Sequence, residues 1–158
     1  MERKVQKILL VSGIAVEYQG KFLITQQGKG QWHQGKWAIP GGVVEPDLTI
    51  LENAKNEIKE ETGLDVEVTG LLGIQRRKLK STVPTDPEGM VVYFLYHGIA
   101  QTDEVKIQEG EIAAYKWLTL EELRNFSKDD FREVMGFVIK KIEEQRKFPP
   151  DFIYEGKE

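Results

Sequence analysis

The sequence predicts an α/β domain, a mixed β-sheet with helices on both faces. Three observations point there: β-branched-rich runs dominate the first half, an amphipathic helical pattern interrupts them at mid-chain, and two further helical segments close the chain. At 158 residues the chain is long enough to bury one core without disulfides or a structural metal, and neither a linker nor an internal repeat divides it. A single domain spanning residues 1–158 is expected.

The elements follow in order. KILLVSGIAVEY (7–18) and KFLITQ (21–26) flank Tyr18-Gln19-Gly20, so they read as a hairpin. The glycine-rich segment 28–37 is a surface loop, and WAIPGGVV resumes extended structure around a turn. Thr49 and Glu52 match a capping box and Gly63 sits where a terminator belongs, which sets a helix over 49–62. Extended character returns at 65–79, a Pro/Gly-containing loop follows at 81–89, and MVVYFLYHGIA (90–100), the most apolar run, is predicted as a central strand. After a charged loop at 102–111, AAYKWLTL leads into a short helix capped by Thr119 and Glu122. A longer helix near 129–146 is predicted to stop at Pro149 and Pro150, and the tail at 151–154 is either frayed or docked on a neighbour.

Composition excludes several function classes. With 40% hydrophobic and 30% charged residues the chain is globular, and no apolar run approaches a bilayer-spanning length, so no membrane partner is expected. The N-terminus turns polar too soon for a signal-peptide core, which favours the cytoplasm. The absence of cysteine removes thiolate zinc sites and cysteine nucleophiles. A net charge of −4 argues against duplex nucleic acid as a partner, since that usually needs a basic face. The apolar strands and the tail leave room for a homodimer.

The chemistry concentrates in the mid-chain helix. At about 100° per residue, Glu57, Glu60 and Glu61 share a wedge of roughly 100°, bordering the stripe of Leu51, Ala54, Ile58 and Thr62 that would face the core. Glu57 and Glu61 are a like-charge pair one turn apart, which costs a few tenths of a kcal/mol uncompensated. A hard divalent cation, Mg²⁺ or Mn²⁺, would compensate directly through oxygen ligands and waters. Taken alone, the same string also reads as a solvated helix face, because glutamate is a good helix former. Pro40-Gly41-Gly42, just upstream, makes a turn whose backbone can approach a ligand closely; a plain hairpin bend is the other reading.

Together these residues resemble the signature of the Nudix hydrolase family, G-x5-E-x7-R-E-U-x-E-E-x-G-U, with U a bulky aliphatic. Gly42, Glu57, Ile58, Glu60, Glu61, Gly63 and Leu64 match it, WAIPGG (37–42) resembles the family's lead-in, and EIAAYKWLTLEEL (111–123) resembles its closing strand and helix. The box is degenerate: Leu48 stands at the usual first glutamate and Asn56 at the usual arginine. The resemblance implies an α/β/α sandwich and Mg²⁺-dependent hydrolysis, with Mn²⁺ able to substitute, of a nucleoside diphosphate linked to another moiety. By position it implies that Glu57, Glu60, Glu61 and the Gly41 carbonyl ligate metal and that Gly42 lies against the substrate. One of the last two box glutamates or a later acid would serve as base, for which Glu111 is the principal candidate and Glu109 the alternative. The lost arginine, generally taken to orient a catalytic glutamate, leaves a second class open, a nucleotide-binding or regulatory module with weakened catalysis.

Among other candidates, Arg76, Arg77, Lys78 and Lys80 form the basic cluster, and Arg76 and Arg77 are candidate phosphate contacts; an exposed strand end would look the same. His33 lies in the glycine-rich loop, and His97 is too distant in sequence to form a histidine metal site with it. Trp32, Trp37, Tyr93, Tyr96 and Trp117 include base-stacking candidates, though aromatics in strands are more often core. Gln26 and Gln27, at a strand end, are candidates for reading a base edge.

Overall fold

A computed structural model describes residues 7–79 and 89–156. Its strands are β1 (Lys7–Tyr18), β2 (Lys21–Gln27), β3 (Trp37–Ala38), β4 (Gly41–Val43), β5 (Val66–Leu79), β6 (Gly89–Ala100) and β7 (Ile112–Leu118); its α-helices are α1 (Ile50–Thr62), α2 (Leu120–Asn125) and α3 (Met135–Glu144). The predicted β1–β2 hairpin forms, with Gln19 (φ 48°) and Gly20 (φ 79°) both left-handed, the conformation a two-residue hairpin turn requires.

The sheet is mixed, as predicted. Its path runs β3-β2-β1-β6-β5, with β1 and β6 parallel and their other pairings antiparallel; β4 pairs with β1, and β7 with β2. β6 lies between β1 and β5, which explains its continuous apolar sequence: a strand covered on both faces needs no polar alternation. Alternation along each strand sorts the core into two layers. Ile14, Val16, Leu23, Phe94 and Tyr96 pack with Ile50, Ala54 and Ile58 of α1, while Ala15, Ile24 and Leu95 pack with Leu123 of α2 and Met135 and Val138 of α3. The result is an α/β/α arrangement. Among the described residues no helix is long and apolar enough to cross a membrane.

Two predicted boundaries are corrected. The helix expected over 129–146 is a short 3₁₀ turn, Lys128–Asp130, followed by α3 from Met135 to Glu144. The intervening backbone is taken by the sheet edge: Phe131 bridges Trp37, and the Arg132 amide donates to the Trp37 carbonyl at 2.9 Å. Pro149 and Pro150 do not end the helix either. It ends at Gln145, left-handed at φ 56°, and Phe148 then exchanges two 2.9 Å hydrogen bonds with Leu71. Most of the loop predicted at 81–89, together with Lys80, lies outside the described residues.

The tail returns to its own domain. Phe148 and Phe152 pack ring to ring, and the Glu155 carboxylate accepts from the Ile50 amide at 3.0 Å, meeting the positive end of α1. Glu155→Ala is therefore expected to cost about 1 kcal/mol of stability, read as a lowered midpoint in urea unfolding.

Candidate active site

Helix α1 is fixed at both ends by the residues expected. Thr49 and Glu52 complete the capping box reciprocally, and Gly63 caps the other end at φ 73°. The following loop docks along its last turn: the Lys106 amide donates to the Thr62 carbonyl at 2.9 Å and the Gln108 amide to the Glu61 carbonyl at 3.0 Å. A further anchor is buried. Asn53 Nδ2 donates to Ser12 Oγ at 3.1 Å and its Oδ1 accepts from the Glu45 amide at 3.1 Å, tying helix, central strand and turn together. Sequence reading passed over Asn53. The available signal was the four-residue spacing of Asn53, Glu57 and Glu61, which places a polar stripe beside the apolar one.

The three helix acids have different environments. Glu61 is buried, Glu57 half-buried and Glu60 exposed. Oε2 of Glu61 is buried with no hydrogen-bond partner among the described residues. Burial, then the neighbouring Glu57 charge, pushes the Glu61 carboxyl up to about 9, against an opposing backbone hydrogen bond from Gly41. Burial and Glu60 raise Glu57 in the same direction.

The glycines upstream allow this crowding, each in its own way. A side chain at Gly41 would fall on the Ser12 carbonyl of β1, and a Cβ at Gly42 would meet the Glu57 carboxyl carbon at 2.6 Å and both its oxygens at 2.8 Å. Gly42 thus bears directly on the position of an acid. Gly42→Ala is expected to displace the Glu57 carboxylate and lower turnover by at least tenfold while the melting temperature moves little, because a flexible side-chain end yields before backbone does; kinetics alongside thermal melts check this.

Glu111 lies exposed at the end of the loop before β7. Its carbonyl accepts from the Gly28 amide at 2.7 Å, and its charge raises both Glu57 and Glu61. Glu109 is exposed in the same loop. Among the described residues no three acidic or histidine side chains stand arranged to cage a metal ion. The donor set nevertheless fits a hard divalent cation. Two converging carboxylates, one with an orphaned buried oxygen, suit Mg²⁺, which usually keeps several waters and completes its shell with substrate phosphates.

A cationic wall, Arg77 with Arg132, acts together with Glu61 on buried Tyr93. Strand alternation splits the predicted arginine pair: Arg77 shares the β5 face of Gln75, opposite Tyr93, whereas Arg76 points to the other face and is exposed. Arg77 Nη1 pairs with Glu133 Oε2 at 3.1 Å, and its Nε is buried without a partner. Arg132 approaches from the segment that the sheet edge took out of the predicted helix, and the charges of Arg132, Glu61 and Arg77 all act on buried Tyr93. Gly13 makes room there, since a Cβ would fall on the Tyr93 hydroxyl. No motif announced Arg132, a lone arginine in a predicted helix.

Loop 28–36 borders this wall. His33, left-handed at φ 59°, is held below its ordinary value by partial burial and then by Arg132, and Trp32 stacks on it at 5.2 Å between centroids with the indole 70% exposed. The other aromatic candidates are placed elsewhere: Trp37, Tyr93 and Tyr96 are core, and Trp117 packs on Tyr18 and donates to the Asp103 carbonyl. Gln26 braces the loop through the Gly35 carbonyl at 3.1 Å. His97 is buried between Thr69 and Glu17.

The chain is similar to proteins of known family. A family model described as the NUDIX domain matches residues 8–138. Nudix hydrolase 6 of Arabidopsis thaliana is 28% identical over 149 residues, 91% of this chain and 46% of that protein, so the chain spans under half the length of that relative. The mouse bis(5'-nucleosyl)-tetraphosphatase [asymmetrical] is 33% identical over 102 residues, 65% of this chain and 66% of that protein. In structure, the MutT protein of Methanosarcina mazei Go1 superimposes with a TM-score of 0.74 at 23% identity, covering 92% of this chain and all (100%) of that one.

Proposed function

This chain belongs to the NUDIX family, and from that premise we propose that it is a Mg²⁺-dependent pyrophosphohydrolase cleaving a nucleoside diphosphate linked to another moiety. The observation that carries the proposal is the buried, unpartnered Glu61 oxygen set against Glu57, an arrangement that costs stability unless a proton or a cation neutralises it, and a divalent cation can satisfy both carboxylates at once.

In this reading Glu57, Glu61 and the Gly41 carbonyl hold the ion, Mg²⁺ or Mn²⁺, with Glu60 joining from the exposed rim. Bound there, the ion supplies charge neutralisation at phosphorus and a more acidic attacking water. The chain's own groups do the rest. Glu111, outside the ligand pair and acting on both its members by its charge, would take the proton from water in this reading. Gly42 keeps the backbone low so that a phosphate can approach, and Arg77 presents its guanidinium from the far wall. Arg76, exposed on the other face of β5, is the second candidate phosphate contact.

Leu48 and Asn56 favour the second reading, a nucleotide-binding module, because exposed Asn56 cannot supply the charged hydrogen bonds of an arginine. A panel of nucleoside triphosphates, ADP-ribose, nucleotide sugars and dinucleoside polyphosphates, each with Mg²⁺ and with EDTA, separates the two. Mg²⁺-dependent cleavage of a diphosphate linkage is expected. Binding without cleavage across the panel would leave the module.

A further inference from the structure

A second like-charge pair accompanies the acids, Arg77 with Arg132. Arg77 and Arg132, 55 positions apart in the chain, are brought together where Arg77 Nη1 pairs at 3.1 Å with Glu133, the residue after Arg132; both act on buried Tyr93, and the Arg77 charge lowers Arg132. Their compensation is thin. Arg77 has one carboxylate partner, Glu133, whose side chain is 88% exposed, and Arg132 has no ion-pair partner among the described residues although its side chain is half-buried. Glu61 is the acid that acts on Arg132 across the site. A guanidinium withdrawn from water beside a second guanidinium is unfavourable until an anion enters between them, and the buried, unpartnered Nε of Arg77 is a donor without an acceptor at the same place.

We propose that Arg132 and Arg77 form a phosphate subsite opposite Glu57 and Glu61, and that it takes the terminal phosphate of a nucleoside triphosphate. The proposal rests on the hydrolase reading above for the role of the acid wall, and charge matching selects the group. A terminal phosphate carries up to about two negative charges near neutral pH, matching two guanidiniums, whereas each phosphate inside a diester-linked diphosphate carries about one. Arginine's planar fork suits bidentate capture of such a group. Trp32, the most exposed indole, lies on the loop beside the subsite, where a base can stack.

The test is isothermal titration of the full chain with ATP and with ADP-ribose in EDTA, so that no metal contributes. The native protein is expected to bind ATP at least tenfold more tightly than ADP-ribose. Arg132→Gln is expected to weaken ATP at least tenfold and ADP-ribose no more than about twofold, with Arg132→Lys recovering part of the loss and thermal melts confirming the fold. Arg77→Gln provides the same readout should Arg132→Gln fail to fold. Equal native affinity for the two ligands, or an ATP affinity within twofold of native in the glutamine variant, would overturn the proposal. Loss of ATP binding in the variant without Mg²⁺-dependent cleavage of anything would uphold the subsite and remove the hydrolase reading. Glu61-dependent cleavage with ATP affinity indifferent to Arg132 would do the reverse.

Discussion

Glu61→Gln is expected to lower kcat on the order of 10²–10³-fold while leaving the metal-free protein as stable as before, or more so. The two effects come from one cause. In the unliganded site the Glu61 carboxyl is buried against Glu57 and keeps its proton near neutral pH, so glutamine matches its neutral form and its volume and lacks only the charge it takes on when a cation binds. With metal and substrate present, that missing charge is a missing ligand. Glu60→Gln, changing an exposed acid, is expected to have a smaller effect. Steady-state kinetics at saturating Mg²⁺ and melts in EDTA make the comparison; unchanged turnover in Glu61→Gln would remove this residue from the site.

The second large effect is on pH. Because the folded state raises the Glu61 carboxyl to about 9 from an ordinary 4.5, the metal-free fold keeps a proton that the unfolded chain releases. Its contribution to stability is full below about pH 4.5 and is lost as pH rises towards 9. Divalent-metal binding must expel that proton, so Mg²⁺ affinity is expected to rise by up to about tenfold per pH unit across pH 6 to 9. Thermal melts at several pH values with EDTA or Mg²⁺ show both trends: a midpoint that falls with pH in EDTA, and a Mg²⁺-induced gain that grows with pH. A gain that stays constant would mean that metal binding does not displace this proton.

What the sequence made legible was local or periodic. The α1 caps, the hairpin turn and the two-sided burial of β6 follow from residue types at fixed spacings, and the acid wedge is visible on a helical wheel. What stayed hidden depends on long-range pairing. Phe131 and Arg132 leave the helical pattern because the edge at Trp37 offers them hydrogen bonds, and that pairing fixes where Arg132 stands. Arg76 and Arg77 look equivalent in sequence; only the register of β5 on β6 separates them. Among the acids, Glu60 and Glu61 are adjacent and chemically identical, and the packing of α1 against β1 and β4 buries one while leaving the other in solvent.

The most direct measurement is a crystal structure of the protein with Mn²⁺ and a non-hydrolysable nucleoside triphosphate, located by the anomalous signal of manganese. The expected result is a manganese peak bridging the Glu57 and Glu61 carboxylates, the Gly41 carbonyl and the phosphates. Phosphates bound with no manganese between those two acids, or manganese held only at another place on the surface, would contradict the assignment.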